Sequence, residues 1–336
     1  MITVLASGGL NTVQDLGRLG WLDIGVGAAG AMDRLALTAG NLMLGNDPGC
    51  AGIEVAIPPF RIRFGADTRI ALTGADCEAT LDGTLMLPWW CLDVHKGQVL
   101  QLASPRSGSR AYLSVRGGID VPLVLKSRST DLKSGFGGHQ GRSLRKGDLL
   151  PLMATAVRGT AQPSYGIEPP HRSLKPREGP PGTAMAVRVI PGAEHDCFQP
   201  HARDLFWSGH WQVSPNSNRQ GYRLEGAALP TAGLPELLSH GLVPGTIQVP
   251  PSGLPIIQMS DANPSGGYPK MGTVIEADMW RLGQARLGDR IGFVRCTVEE
   301  AVGALALERS WLRAIALGVP SQHPRRIDAG RQKLLS

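Results

Sequence analysis

The chain has 336 residues, of which 42% are apolar, so it is long enough for about two domains with buried cores and is not an intrinsically disordered protein. Its net charge of +6 is spread along the sequence and is densest near the C-terminus, a pattern that does not favour a nucleic-acid-binding protein. No apolar run approaches the roughly 20 residues that span a bilayer, and no secretory signal follows Met1, so we expect a cytoplasmic protein without a membrane anchor.

The five cysteines and eight histidines do not form a pattern that is typical of metal binding. The cysteines are far apart, with no C-x-x-C pair, and the histidines show neither H-x-x-x-H nor H-E-x-x-H spacing. An odd number of scattered cysteines is typical of reduced thiols rather than of a disulfide framework. We therefore expect neither a metal site nor a disulfide scaffold.

Short β-rich runs separated by glycine or proline recur along the whole chain, which contains 44 glycines and 26 prolines. The runs lie at 69–73, 98–102, 111–115, 187–190, 246–249, 255–259 and 290–293. Frequent turns between short strands are typical of a β-barrel or a β-sandwich. We therefore predict a mainly β chain with a few short helices.

Two helices are predicted from their capping residues. Asp33 is a good N-cap for a helix over 34–44, and Gly45 is a suitable stop. Thr297 and Glu300 form a capping box ahead of a helix over 298–315, whose apolar residues recur at helical spacing.

A stretch over 153–184 separates two halves of similar size. It contains six prolines and almost no periodic apolar pattern, which is typical of a linker. We predict an N-terminal β subdomain over 1–152, a C-terminal β subdomain with a terminal helix over 185–318, and a basic tail over 319–336.

The stretch over 12–18 places three different polar groups beside a glycine. Gln14 offers an amide, Asp15 a carboxylate and Arg18 a guanidinium. Gln14 and Asp15 could hold the N–H of a lactam or a urea-like ligand. The alternative is that Asp15 pairs with Arg18 and braces the local fold.

Two further clusters offer cationic or hydroxyl donors. Ser127 and Arg128 begin a compact polar stretch that could bind a carboxylate or satisfy the backbone of its own loop. Arg219 and Arg223 are an even number of residues apart, so in a strand they would share a face and could converge on one anion. Pairing of these arginines with an acidic residue elsewhere is the alternative.

A glycine pair near the end of the chain precedes a phenol and an ammonium. Gly266 and Gly267 allow another group to approach the backbone closely, although such pairs also form ordinary turns and bulges. Tyr268 and Lys270 could stabilise charge that develops on a carbonyl oxygen. Our candidate catalytic residues are Lys270, Tyr268 and Asp15; our candidate substrate-binding residues are Gln14, Arg18, Arg219, Arg223, Ser127, Arg128, Gly266 and Gly267.

The glycine pairs do not form standard nucleotide-binding motifs, and a standard nucleophile motif is missing. No glycine pair belongs to a G-x-G-x-x-G motif or to a G-x-x-x-x-G-K-[ST] loop, and there is no G-x-S-x-G elbow. These patterns disfavour a hydrolase that works without other chains, although a catalytic triad can be built from distant residues.

Taken in chain order, these stretches resemble the biotin-dependent carboxyltransferase family, also called allophanate hydrolase subunit 2. The family includes the Kip-antagonist proteins and the C-type subunit of prokaryotic 5-oxoprolinase. Matches extend over roughly 2–300, on both sides of the proline-rich stretch. They include 12–18, 30–33, 39–42, 53–54, 72–74, 110–112, 116–122, 127–130, 218–224, 245–250, 253–256 and 266–270. The sequence departs from the usual family pattern at Asn11, Lys126, Gln220 and Pro264, where threonine, glycine, methionine and threonine are common.

The resemblance implies cyclophilin-like barrels and a partner, a subunit 1 homologue of the Kip-inhibitor type, which corresponds to the B-type subunit of 5-oxoprolinase. It also implies that ATP or biotin chemistry, if used, involves other chains. The sequence has neither an ATP-binding loop nor the Met-Lys signature of a biotin acceptor.

Three functions follow from the resemblance. The leading one is a subunit of an ATP-dependent 5-oxoprolinase that opens 5-oxoproline to glutamate together with the A-type and B-type subunits, and that is inactive alone. The second is carboxyl transfer from biotin to urea or a related amide. The third is a regulatory binding protein that antagonises a kinase inhibitor.

Overall fold

The computed structural model describes residues 1–154, 163–174, 185–234 and 237–318. The described residues divide into two compact units. The first unit contains Met1–Arg18, the described residues of Asp33–Leu174 and the end of the last helix from Arg309. The second unit contains Leu19–Met32 and the described residues over 185–308. Much of the predicted linker and the whole predicted tail lie outside the described residues.

The first unit is built from two six-stranded sheets. Their orders are β11-β1-β4-β9-β6-β7 and β12-β8-β5-β10-β3-β2, and neighbouring strands in each order are antiparallel. The strands are β1 (Ile2–Ser7), β2 (Thr12–Gln14), β3 (Gly52–Val55), β4 (Phe60–Phe64), β5 (Thr68–Asp76), β6 (Thr80–Leu81), β7 (Thr84–Leu85), β8 (Trp90–Val94), β9 (Val99–Leu102), β10 (Ser107–Val115), β11 (Leu149–Leu150) and β12 (Tyr165–Gly166).

The core of the first unit is shared by both sheets. In β4 the side chains of Phe60, Ile62 and Phe64 are buried and the two arginines between them are exposed, as the period-2 geometry of a strand requires. Buried side chains from β5 and β10 in the other sheet belong to the same hydrophobic cluster.

Helix α1 (Arg34–Met43) packs on the second of these sheets. Asp33 caps it, since its carboxylate accepts a hydrogen bond from Ala36 N at 2.8 Å, which confirms the predicted N-cap. Thr73 Oγ1 of β5 donates to Ala36 O at 2.7 Å. Gly40 allows close packing, because a Cβ there would lie 2.8 Å from Ser114 Oγ of β10. A short helix, α2 (Pro170–Ser173), follows β12.

The second unit contains a closed barrel in the order β13-β20-β17-β18-β15-β14-β21. The strands of this unit are β13 (Met185–Pro191), β14 (Trp211–Val213), β15 (Gly221–Glu225), β16 (His240–Gly241), β17 (Thr246–Gln248), β18 (Ile256–Gln258), β19 (Ser265–Gly266), β20 (Lys270–Val274) and β21 (Arg290–Arg295). All of the barrel pairs are antiparallel except β13 with β21, and β16 pairs with β19 outside the barrel. The mainly β prediction with barrel-like architecture is confirmed.

The other α-helices of the described residues are α3 (Pro200–Ser208), α4 (Met279–Gly283) and α5 (Val298–Gly318), and three short 3₁₀ helices lie at Leu22–Ile24, His195–Cys197 and Glu276–Asp278. The predicted capping box of α5 is confirmed: Thr297 N donates to Glu300 Oε2 at 3.0 Å, and Glu300 N donates to Thr297 Oγ1 at 3.2 Å. None of the described helices combines the length and the apolar composition of a membrane span.

Lys126, which stands where glycine is common in the family, lies in a backbone conformation that favours glycine. Leu125 and Lys126 have φ values of 52° and 62°, in the left-handed region that favours glycine. Lys126 is exposed, so its side chain adds no core packing that would offset this conformation.

We predict that Lys126→Gly raises the free energy of unfolding by about 1 kcal/mol, because glycine adopts a left-handed conformation without the steric cost of a Cβ. Urea denaturation followed by circular dichroism measures the change. The matched control is Lys96→Gly, at another exposed lysine whose φ is not positive; it should lower stability by up to about 1 kcal/mol. Equal shifts in the two variants would contradict the prediction.

Candidate functional site

The carboxylate of Asp15 is saturated by donors from its own unit. It accepts hydrogen bonds from Ser127 Oγ at 2.7 Å, Ser129 Oγ at 2.5 Å, Arg128 N at 2.5 Å and Gly17 N at 2.8 Å. The residue is 7% exposed. These contacts join the 12–18 and 127–131 stretches, so Asp15 and Ser127 have a structural role as a brace; their catalytic and substrate-binding roles stay predictions.

Gln14 and Arg18 are fully buried beside this brace. Gln14 Nε2 donates to Thr12 Oγ1 at 2.9 Å and to Thr130 O at 3.1 Å. Arg18 donates to Ser129 O, and its guanidinium carbon lies 4.6 Å from the centre of the Phe136 ring. The predicted alternative was a brace in which Asp15 pairs with Arg18. The hydrogen bonds described here instead connect each of these residues to the 127–131 stretch, more than a hundred residues away.

Arg219 and Arg223 do not share an environment. Arg219 is buried and forms a two-pronged ion pair with Asp261, with Nε and Nη2 at 2.9 and 3.0 Å from the two carboxylate oxygens. Its Nη2 also donates to Gly30 O at 2.5 Å. Arg223 lies on β15 and is exposed.

The even spacing of these arginines fails as an argument because β15 begins only at Gly221, which leaves Arg219 in the preceding turn. The prediction that both guanidiniums converge on one anion is therefore wrong. The alternative, in which an arginine pairs with an acidic residue, describes Arg219. The pair fixes Gly30 and so secures the Leu19–Met32 segment within the second unit.

Lys270 is a buried cation whose ammonium is held by a neutral backbone carbonyl. It is 8% exposed, and its Nζ donates to Tyr268 O at 3.2 Å. Within the described residues, no carboxylate forms an ion pair with it. Desolvation lowers the pKa of Lys270 below its usual value, and the negative charge of Glu194 partly opposes this.

Gly266 lies against the buried amide of Gln248, which is joined to a second buried amide, Gln258; the sequence reasoning missed both glutamines. A Cβ at Gly266 would lie 2.7 Å from Gln248 Nε2, and a Cβ at Gly267 would lie 2.7 Å from Leu237 O. Gln248 accepts a hydrogen bond from Gln258 Nε2 at 2.9 Å. The missed signal was that two short apolar strands, T-I-Q-V and I-I-Q-M, each contain one glutamine at an equivalent place.

A cavity of 560 Å³ opens beside this segment, within the second unit. Its walls include the apolar side chains of Leu234 and Leu237 and the more polar Ser239, Gly267 and Tyr268. Tyr268 is 48% exposed, so its phenol is accessible to a ligand. Gly267 and Tyr268 line this cavity, whereas Gly266 and Lys270 lie in the same segment but are not part of its walls. The Asp15 cluster belongs to the other unit. In the described ranges, no group of three or more His, Cys, Asp or Glu residues is arranged to hold a metal ion.

Comparison with known proteins identifies the family of this chain. Residues 24–295 match the family model described as carboxyltransferase domain, subdomain A and B. The chain belongs to this carboxyltransferase family. The family membership expected from the motifs is thereby confirmed.

The relatives are of two kinds. The C-type subunit of the Escherichia coli 5-oxoprolinase is 41% identical over 321 residues, covering 94% of this chain and 98% of that protein. The urea amidolyase of Lachancea kluyveri is 33% identical over 89% of this chain, but the match covers only 17% of that protein. The crystal structure of the Kluyveromyces lactis urea carboxylase gives a TM-score of 0.81 at 29% identity, over 98% of this chain and 30% of that one.

We predict that Asp261→Asn lowers the free energy of unfolding by about 3–5 kcal/mol, because it leaves the buried Arg219 guanidinium without its counter-charge. Chemical denaturation of the purified chain measures the loss. Arg223→Met is the matched control at the exposed arginine and should change stability by no more than about 0.5 kcal/mol. If both substitutions were equally mild, the ion pair would not hold this part of the second unit together.

Proposed function

We propose that this chain is the C-type subunit of an ATP-dependent 5-oxoprolinase, which opens 5-oxoproline to glutamate together with its A-type and B-type subunits. The observation that carries the proposal is the 41% identity to the E. coli subunit, which extends over nearly the full length of both chains. The corresponding 5-oxoprolinase subunit from Haemophilus influenzae is 39% identical over 90% of this chain.

The Lys270 site supports this chemistry. When the lactam opens, the oxygen of water adds to the ring carbonyl carbon and the C–N bond breaks. The protons of that water pass to the leaving nitrogen, so the products are a carboxylate and an ammonium group. Negative charge develops on the carbonyl oxygen during the addition. An ammonium that is removed from water and not neutralised by a carboxylate stabilises such charge strongly, because the local dielectric constant is low.

Tyr268 is the second group that the proposal assigns to the substrate. Its phenol can donate a hydrogen bond, and its exposure places it at the accessible side of the cavity. Because Arg219 is engaged by Asp261, the substrate carboxylate is not assigned to Arg219.

ATP hydrolysis by the complex supplies the free energy for ring opening, and the proposal assigns the nucleotide to another subunit. The chain has no G-x-x-x-x-G-K-[ST] loop, and the stretch over 25–30, which has G-x-G-x-x-G spacing, follows the 3₁₀ turn Leu22–Ile24 and not the strand that a dinucleotide-binding motif requires. Because the nucleotide is assigned to another subunit, this chain alone should not open 5-oxoproline.

Carboxyl transfer to urea or a related amide is the second candidate. It is favoured by the carboxyltransferase family match and by the similarity to urea carboxylase at a TM-score of 0.81. Under this alternative the carboxyl group would arrive on biotin attached to another chain, and the same buried lysine would bind the oxygen of the acceptor amide.

We predict that the purified mixture of the three subunits converts 5-oxoproline to glutamate only with ATP, and that Lys270→Met lowers kcat by about 10²–10³-fold, as removal of an oxyanion donor typically does. Glutamate formation and ADP release measure the rate. Lys146→Met, at an exposed lysine of the first unit, is the control and should leave the rate unchanged.

Three results would contradict this assignment. No ATP turnover with 5-oxoproline would exclude the 5-oxoprolinase function, and carboxylation of urea by the chain with a biotin carrier would favour the second candidate. Full activity of Lys270→Met with unchanged binding to the B-type subunit would favour a binding role for the chain.

A further inference from the structure

Gln248, Gln258 and Lys270 lie on three adjacent barrel strands and are all buried. Gln248 is the register partner of Lys270 across the β17–β20 pair. The exposed fractions are 4% for Gln248, 9% for Gln258 and 8% for Lys270. Neighbours such as Ile247 and Ile257 contribute to the barrel core, so the glutamines occupy the opposite face of their strands.

A short series of hydrogen bonds connects these side chains. Gln258 Nε2 donates to Gln248 Oε1 at 2.9 Å, and Gln248 Nε2 is directed to Tyr268 O at 3.4 Å. The same carbonyl accepts from Lys270 Nζ at 3.2 Å. Because a backbone carbonyl can only accept, the amide orientation of Gln248 is fixed from this side, and its Oε1 must face the donor of Gln258.

We propose that Gln248 is a positioning residue for Lys270: it fixes the Tyr268 carbonyl that receives the lysine ammonium, and Gln258 in turn fixes Gln248. This inference rests on the proposed function, in which Lys270 binds the developing oxyanion. The glutamines themselves touch no substrate.

A buried polar side chain at position 248 indicates that its hydrogen bonds are needed there. A buried amide costs free energy unless its groups are hydrogen-bonded, and packing alone would be served by an apolar side chain of similar volume. The segment over 266–269 approaches Gln248 as closely as glycine permits, since a Cβ at Gly266 would meet both Gln248 Nε2 and Leu242 Cδ1 within 3 Å. The glycine pair and the glutamine therefore belong to one arrangement.

The neutral acceptor matters for the chemistry of the lysine. A carboxylate in place of the Tyr268 carbonyl would neutralise the ammonium, whereas a carbonyl holds it and leaves its charge available to a ligand oxygen. The acidic side chain that contacts this residue is Glu194, whose Oε2 accepts from the backbone N of Lys270 at 3.2 Å rather than from Nζ. A carbonyl therefore suits the role proposed for Lys270, because the negative charge on the substrate oxygen forms only during the reaction.

The test uses Gln248→Glu and Gln248→Met, with Thr246→Val as the matched control. Thr246 lies on the same strand, two residues away and equally buried at 4%. The nitrogens of Gln248 and Lys270 are no more than about 7 Å apart, because each lies within 3.4 Å of one oxygen. A carboxylate at 248 should therefore raise the pKa of Lys270, because a nearby negative charge favours the ammonium.

The readout is NMR of the chain labelled with ¹³C at lysine Cε, with the Lys270 signal assigned by its loss in Lys270→Arg. This measurement needs no turnover, so it remains informative if 5-oxoproline proves not to be the substrate. We expect Gln248→Glu to move the Lys270 titration to higher pH, Gln248→Met to shift and broaden the Lys270 signal, and Thr246→Val to leave it in place.

In the assembled complex, Gln248→Met should lower kcat by about tenfold with little change in KM, which corresponds to the loss of about one hydrogen bond in the transition state. If Gln248→Met does not fold, Gln258→Met removes only the donor behind Gln248 and tests the same connection. A Lys270 signal that titrates identically in the wild type, Gln248→Glu and the folded methionine variant would overturn the proposal, as would an equal loss of kcat in Thr246→Val.

Discussion

Burial on both faces of three barrel strands is the constraint on which the candidate site depends. A strand has two faces, and β17, β18 and β20 turn one of them into the barrel core. Their other face is also removed from water, with Gln248, Gln258 and Lys270 nearly inaccessible. Every polar group there must therefore find its partner within the protein, and the positions of those partners determine where the lysine ammonium lies.

The buried charges of this chain differ in how they are compensated. Asp15 receives four hydrogen bonds, and Arg219 and Asp261 neutralise each other. Such groups stabilise the fold only as complete sets, since loss of one partner leaves a charge buried. Lys270 is held instead by a neutral carbonyl, and its pKa is lowered by desolvation. A charge kept in this way is suited to bind an oxygen that becomes negative during a reaction.

The sequence predicted well the features that depend on near neighbours. The N-cap at Asp33 and the capping box at Thr297 and Glu300 involve residues three apart, so their geometry follows from the helix itself. The contacts of Asp15 with Ser127 and Ser129 span more than a hundred residues. No local pattern indicates such a pairing, and Asp15 was therefore interpreted as a candidate catalytic residue and Ser127 as a candidate substrate-binding residue.

The two missed glutamines and the misjudged arginines both show that residue spacing alone does not give the surroundings of a side chain. An even spacing indicates a shared face only inside a strand, and β15 begins after Arg219. Conversely, Gln248 and Gln258 are in strands, but a glutamine between apolar residues is also typical of a strand with one solvated face. Only the contacts of the folded chain distinguish a solvated amide from a buried one. The segment that covers Gln248 includes Gly266, and its position is not encoded in the sequence of β17.

The departures at Gln220 and Pro264 affect this arrangement less than their place in the motifs suggests. Gln220 contributes its backbone oxygen to the second unit, accepting from Met259 N at 3.0 Å, and Pro264 O accepts from Leu242 N at 2.9 Å. A backbone carbonyl is available from any residue type, including the methionine and threonine that are common at these positions. The side chains at 220 and 264 can therefore change while Gln248, the Tyr268 carbonyl and Lys270 keep the hydrogen bonds that define the site.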